Sequence, residues 1–187
     1  MDTITAIATR RSVKIFTGQT LSRIQLEQLV ESACWAPTHR MTQPWRFYVC
    51  DQIATQALGE RLATDAAIAS VLEPRKAQKA RELLSRVGGL VLVTWKRHQD
   101  PAIDQEDLAA TAAAIQNLLL AATAQGLGSF WSTNPGFAHP STLRWCGADP
   151  DQEGFVGAIW LGVPEQTPQP PARLPIVERL HWVQPSA

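Results

Sequence analysis

The stretch Ala109-Ala110-Thr111-Ala112-Ala113-Ala114-Ile115-Gln116-Asn117-Leu118-Leu119-Leu120-Ala121-Ala122 is apolar on most faces of a helix. A helix of that kind must sit against other structure on most sides, so it is expected to be the central buried helix. Asp104 or Asp107 would open it, and Gly126-Leu127-Gly128 after Gln125 ends it with a C-cap and turn. Working outward, Gly88-Gly89 precedes Leu90 to Trp95, a continuous apolar run that reads as a buried strand. Ser129 to Thr133 and Gly154 to Val163 read as further strands, and Phe47-Tyr48-Val49 as a short one. Ser22 with Gln25 three residues on forms a capping box, which predicts a helix start. That helix is expected to run to Ala36-Pro37, since the residue before proline avoids helical geometry. Residues 2–10, 52–70, 74–87 and 140–146 complete the helical segments. The resulting order is an α/β sandwich with few strands. From Pro164 to Pro175 the chain is too rich in proline for regular structure. The apolar Leu174, Ile176, Val177, Leu180 and Trp182 in and beyond that stretch favour an ending that wraps a neighbour.

At 187 residues one domain is expected, 1–187, with 164–187 as its C-terminal arm. Lys plus Arg equals Asp plus Glu at 17 each, so no basic excess points to nucleic acid. Unbroken apolar runs fall short of the roughly 20 residues that span a bilayer. Met1-Asp2-Thr3-Ile4 lacks a basic-then-apolar signal, so the expected location is the cytoplasm and no membrane partner is expected. Cys34, Cys50 and Cys146 form no C-x-x-C pair and read as small buried hydrophobes. The four histidines have no metal-ligand spacing, and no metal is expected. The basic residues of 74–87 read as a solvated face. No G-x-G-x-x-G follows a strand, which leaves a Rossmann dinucleotide site without support.

Chemistry concentrates in Arg10-Arg11-Ser12-Val13-Lys14-Ile15-Phe16, where three cations and a hydroxyl stand within five positions. Guanidinium forks take phosphate oxygens in pairs, and a hydroxyl adds a short donor. Gln43-Pro44-Trp45 is a rigid turn launching a strand. Seven tryptophans against one tyrosine supply flat, amphipathic walls. Together these features point to a phosphorylated aromatic cofactor.

At these residues the chain resembles the flavin-dependent nitroreductase family. The resemblance runs through Thr9-Arg10-Arg11-Ser12-Val13-Lys14-Ile15-Phe16 and through the segment from Trp35-Ala36-Pro37-Thr38-His39 to Gln43-Pro44-Trp45-Arg46-Phe47. It continues in Leu119 to Gly128 and in Gly157-Ala158-Ile159-Trp160-Leu161-Gly162-Val163-Pro164. The compact bacterial subgroup is the most similar. The resemblance implies an α+β fold, an α/β/α sandwich with a mostly antiparallel sheet around a long central helix. It also implies a homodimer with FMN at the interface and a C-terminal arm exchanged between subunits.

Site residues follow from the same resemblance. Arg10, Arg11 and Ser12 hold the phosphate and ribityl end, His39 lies in the loop facing the flavin, and Trp131-Ser132-Thr133 reaches the flavin from a strand end. The resemblance implies an arginine where Trp35 stands, so either the cofactor contact there is apolar or Lys14 or Arg40 supplies the missing charge, with Lys14 near the pyrimidine edge of the ring. Ala121, Ala122, Thr123, Ala124, Gln125 and Gly126 match a segment associated with nicotinamide. The implied activity passes hydride from NADH or NADPH through flavin N5 to a small electron-poor aromatic acceptor, a nitroaromatic or quinone, in two stages. The flavin carries the chemistry, so no catalytic side chain is required. Other flavin chemistry on the same scaffold, or a flavin-binding protein without turnover, are the rival readings.

Overall fold

The computed structural model describes residues 1–184. Ser22 opens α2 (Arg23–Ala33) with both halves of the capping box in place, after a short α1 (Thr3–Thr9). The chain then forms β1 (Trp45–Cys50), α3 (Gln52–Thr64), α4 (Pro74–Leu84), β2 (Gly89–Lys96), α5 (Pro101–Ala124), β3 (Gly128–Ser132), α6 (Pro135–Ala138), α7 (Pro140–Cys146) and β4 (Glu153–Gly162). The four strands make one sheet in the order β1-β2-β4-β3, with every neighbouring pair antiparallel.

Strand periodicity sorts the core into two layers. Val91, Val93, Trp95, Ile159 and Leu161 point to one face, where they meet Leu26 and Leu29 of α2 and Ala114, Ile115, Leu118 and Leu119 of α5. Leu90, Leu92, Ala158 and Trp160 point to the other, against Leu58 and Leu62 of α3, Leu84 of α4, Phe137 of α6 and Leu143 of α7. The expected α/β/α sandwich is the fold found.

Several boundaries differ from the sequence reading, each for a local reason. α2 stops at Ala33, before the Ala36-Pro37 barrier, with Cys34 as its cap. Helix α3 ends at Thr64, and a single 3-10 turn at Ile68–Ser70 completes the segment. α5 begins earlier than Asp104. Asp100 caps it by accepting the Ala102 N–H at 2.9 Å, and Pro101 fills the first turn, where a missing N–H costs nothing. Asp104 instead accepts the Trp95 indole N–H at 3.0 Å and the His98 backbone N–H at 2.9 Å, tying the helix to the end of β2.

Within the chain α5 is buried along one face, through Ala110, Ala114, Ile115, Leu118 and Ala122, rather than on most faces. Leu108 and Ala109 are exposed, and Ala112, Ala113, Leu120 and Ala121 are half-buried. The helix is long and apolar enough to cross a membrane by length and composition. Its packing on the sheet makes it a core helix of this sandwich. Cys50 is buried as expected, whereas Cys34 is exposed at the end of α2. Beyond Pro164 every described residue is exposed, including Leu174, Ile176, Val177, Leu180 and Trp182.

Candidate functional site

Arg10 caps the C-terminus of α1, and from it the chain runs extended along the edge of β3. Ser12 pairs with Ser129 in a parallel bridge, and the Val13 N–H donates to the Ser129 carbonyl at 2.8 Å. Phe16 pairs with Pro164, and the Thr17 N–H donates to the Val163 carbonyl at 2.9 Å. Burial of Val13 and Phe16 pins this segment and leaves Ser12, Lys14 and Ile15 facing outward. Close approach is possible because Gly128 has no side chain; a Cβ there would meet Val13 at 3.0 Å.

The cations on this segment are poorly compensated. Burial, the neighbouring Arg11 and then Arg173 of the arm hold the Arg10 guanidinium below its ordinary value. Arg11 donates from Nη1 to the carbonyls of Ala8 (2.8 Å) and Arg10 (2.6 Å), but its buried Nε has no partner. A buried, unpaired guanidinium N–H beside a second and a third cation is an arrangement that an anion relieves. This donor set of arginine forks, a hydroxyl and Lys14 fits the phosphate of a nucleotide cofactor.

Ser12, Val13, Lys14 and Ile15 line a cleft of ≈ 620 Å³ together with residues 165–169. A smaller recess of ≈ 250 Å³ brings Thr9, Arg11 and Val13 against Thr123, Gly126, Leu127 and Gly128. Part of the segment matched to nicotinamide therefore lies beside Arg11. Ala122 does not line that recess; it is fully buried in the core, where it packs. Lys14 sits over the Phe130 ring, 4.7 Å from its centre, and is thereby brought to β3. Trp131 takes the opposite face of β3 and donates its indole N–H to the Val156 carbonyl at 3.0 Å. That carbonyl lies at a bulge where the β2–β4 register skips Val156. Ser132 is buried and Thr133 exposed.

His39 and Trp35 lie elsewhere. Trp35, 83% exposed, stands beyond the end of α2. His39 begins a 3-10 turn, and its Nδ1 lies 2.5 Å from Glu106 Oε2 on α5. Thr42 in the same loop donates to Asp107 Oδ1 at 2.6 Å. Glu106 and Thr123 are seventeen residues apart on one helix, about 25 Å along its axis at 1.5 Å per residue. One chain thus holds the two halves of the expected contact set towards opposite ends of α5. Sequence reasoning missed Glu106, Asp107 and Arg173, which carry no motif. Only their tertiary neighbours single them out.

The model of the nitroreductase family matches residues 7–163. The chain belongs to that family. Among nitroreductase relatives, YfhC of Bacillus subtilis strain 168, named provisionally as an NAD(P)H nitroreductase, is 32% identical over 178 residues, covering 92% of this chain and 90% of YfhC. YdjA of Escherichia coli K12, which carries the same provisional name, is 27% identical over 168 residues, covering 88% of this chain and 90% of YdjA. The nitroreductase-like protein of Bacillus cereus superposes with a TM-score of 0.85 at 23% identity, covering 98% of this chain and 96% of its own, and so shares the fold. A provisionally named nitroreductase from Desulfovibrio desulfuricans, solved in complex with FMN, superposes with a TM-score of 0.77 at 26% identity and covers 98% of both chains. The protein is accordingly an oxidoreductase of the nitroreductase type.

Proposed function

We propose that this protein is an FMN-dependent homodimer that passes hydride from NADH or NADPH to a small electron-poor aromatic acceptor such as a nitroaromatic or quinone. The observation that carries the reading is the uncompensated cation cluster of Arg10 and Arg11, with its buried unpaired Nε, in a chain of this family. When bound, FMN supplies reversible two-electron chemistry in a two-stage cycle, with donor and acceptor using the same place in turn.

The chain's own residues bind and orient. Arg10 and Arg11 hold the phosphate by paired N–H donors, and the Ser12 hydroxyl adds a third point of contact. Lys14, steadied over Phe130, places a cation beside the β3 edge, where it stabilises negative charge on a reduced ring. Trp131, Ser132 and Thr133 present the strand end. Thr123 and Gly126, beside Arg11, mark one end of the segment assigned to nicotinamide.

His39 and Trp35 reach the same cofactor from the second subunit, because within one chain His39 is held towards the other end of α5 and Trp35 stands four residues before it. Trp35 offers an exposed stacking face. The exposed apolar residues of the arm and the exposed side of α5 are the surfaces that the second copy covers. Three free thiols suit the reducing cytoplasm.

Purified protein reconstituted with FMN under anaerobic conditions tests the reading. Flavin absorbance that bleaches on adding NADH or NADPH and returns with a nitroaromatic or quinone supports it. A preparation that takes up no FMN overturns it, and a yellow protein that neither nicotinamide bleaches favours a binding role without turnover.

A further inference from the structure

The loop between α2 and β1 contains all the non-glycine residues with positive φ among those described: Arg40 at 52°, Met41 at 53° and Gln43 at 43°. Left-handed backbone is unfavourable for residues that carry a Cβ, so the surroundings must hold it. Two consecutive carboxylates of α5 anchor the loop through the side chains of His39 and Thr42, on either side of Arg40 and Met41.

Asp107 is 4% exposed, and its Oδ1 takes the Thr42 hydroxyl at 2.6 Å. A carboxylate accepts and does not donate. The Thr42 oxygen is then free to accept the Thr38 hydroxyl at 2.8 Å, and the Thr38 oxygen accepts the Gln43 N–H at 3.2 Å. Every proton in this chain of bonds points towards Asp107. The next carboxylate along, Glu106, lies 2.5 Å from His39 Nδ1. By the same rule the proton of that bond sits on Nδ1, which leaves Nε2 as the ring nitrogen open to a ligand.

We infer that Glu106 is a positioning residue, which fixes the ring orientation and proton placement of His39 while Asp107 fixes the loop that carries it. The inference rests on the flavin reading, in which His39 meets FMN. An exposed contact of this kind usually contributes little, because two side chains lose freedom to form it. Here the loop is already immobilised through the adjacent Asp107, so less freedom remains to be lost, and the short contact is charge-assisted.

Three chains test this: wild type, Glu106→Ala and Glu106→Gln. The Glu106 side chain is 48% exposed, so neither substitution threatens folding. Two quantities are read: the imidazole nitrogen NMR signals of His39, assigned with a His39→Gln control, and FMN affinity from flavin fluorescence. In wild type, Nδ1 of His39 should carry the proton. In Glu106→Ala the His39 signals should shift as the ring samples both tautomers, and FMN affinity should fall by about tenfold, the usual consequence of losing one charge-assisted bond. Glu106→Gln, whose amide oxygen accepts the same proton, should recover most of both. Unchanged His39 signals or unchanged FMN affinity in Glu106→Ala overturns the inference. Should wild type itself fail to bind FMN, the flavin reading falls, and the NMR comparison still decides whether Glu106 fixes the ring.

Discussion

Gly157 of β4 lies directly beneath the indole of Trp131 on β3, so that a Cβ at position 157 would stand 2.1 Å from Nε1 and 2.5 Å from Cδ1. The indole cannot simply swing aside, because Nε1 donates to the Val156 carbonyl at 3.0 Å and the ring packs on the core face towards α5. We expect Gly157→Ala to destabilise the protein by about 2 kcal/mol or more, the usual cost of overpacking. For a chain of this size that corresponds to a melting temperature lower by roughly 4–8 °C. Calorimetry measures it, and Trp131→Phe in the same background should recover part of the loss if the clash is the cause.

Arg10 is expected to be worth more to the ligand than to the fold. Its guanidinium is disfavoured by burial and by the nearby Arg11 and Arg173, so removing it relieves repulsion in the apoprotein. Arg10→Ala should leave the melting temperature of the apoprotein unchanged or slightly higher. It should weaken FMN by about 100-fold, in keeping with the loss of a two-point charge-assisted contact. Inorganic phosphate should raise the melting temperature of wild type and not of the variant. Equal flavin occupancy in the two proteins would sink the clamp.

Local signals in the sequence were strong where the physics is local. The Ser22–Gln25 capping box and the Leu90–Trp95 strand need only their own neighbours to be recognised, and both are in the structure. α5 was legible as a helix, but its start was not. The residues suggested Asp104 or Asp107, the structure uses Asp100, and only the third dimension gives Asp104 to Trp95 and Asp107 to Thr42. The arginine cluster was legible as a run of cations from residue type alone, whereas its want of counter-charges appears only in the fold. Glu106 was not, because its role depends on a histidine 67 positions away. The distance from His39 to the arginines was equally hidden, since a linear reading cannot tell whether two motifs share one end of a helix.

Tyr48 offers a clean test of electrostatics, because it is the chain's single tyrosine. Burial, then its hydrogen bond to Glu153 at 2.7 Å and the charge of that carboxylate, push the phenol up from 10.0 to about 12. Ultraviolet titration of tyrosinate in the native protein should therefore show a midpoint near 12, moving to about 10 in denaturant. The native state holds this proton more tightly, so its contribution to stability is complete below pH 10 and is lost as pH rises towards 12. Tyr48→Phe should remove that part of the alkaline slope. A native midpoint at 10 would show that Glu153 does not act on the phenol.

Whether the two halves of the site come from one chain or two can be decided by complementation. Arg10→Ala and His39→Ala should each lose FMN affinity when expressed alone. If each site takes its arginines from one subunit and His39 from the other, a mixed dimer holds one site with both defects and one with neither. Random pairing makes half the dimers mixed, so about a quarter of all sites should bind FMN normally after co-expression. If both residues act within one chain, every site carries one defect and co-expression restores nothing. A chain ending at Glu165 provides the matching control. It lacks the exposed apolar arm, so light scattering should report a monomer. FMN affinity should then fall even with Arg10, Arg11 and His39 all present. A truncated chain that stays dimeric and keeps its flavin would place the interface on α5 alone.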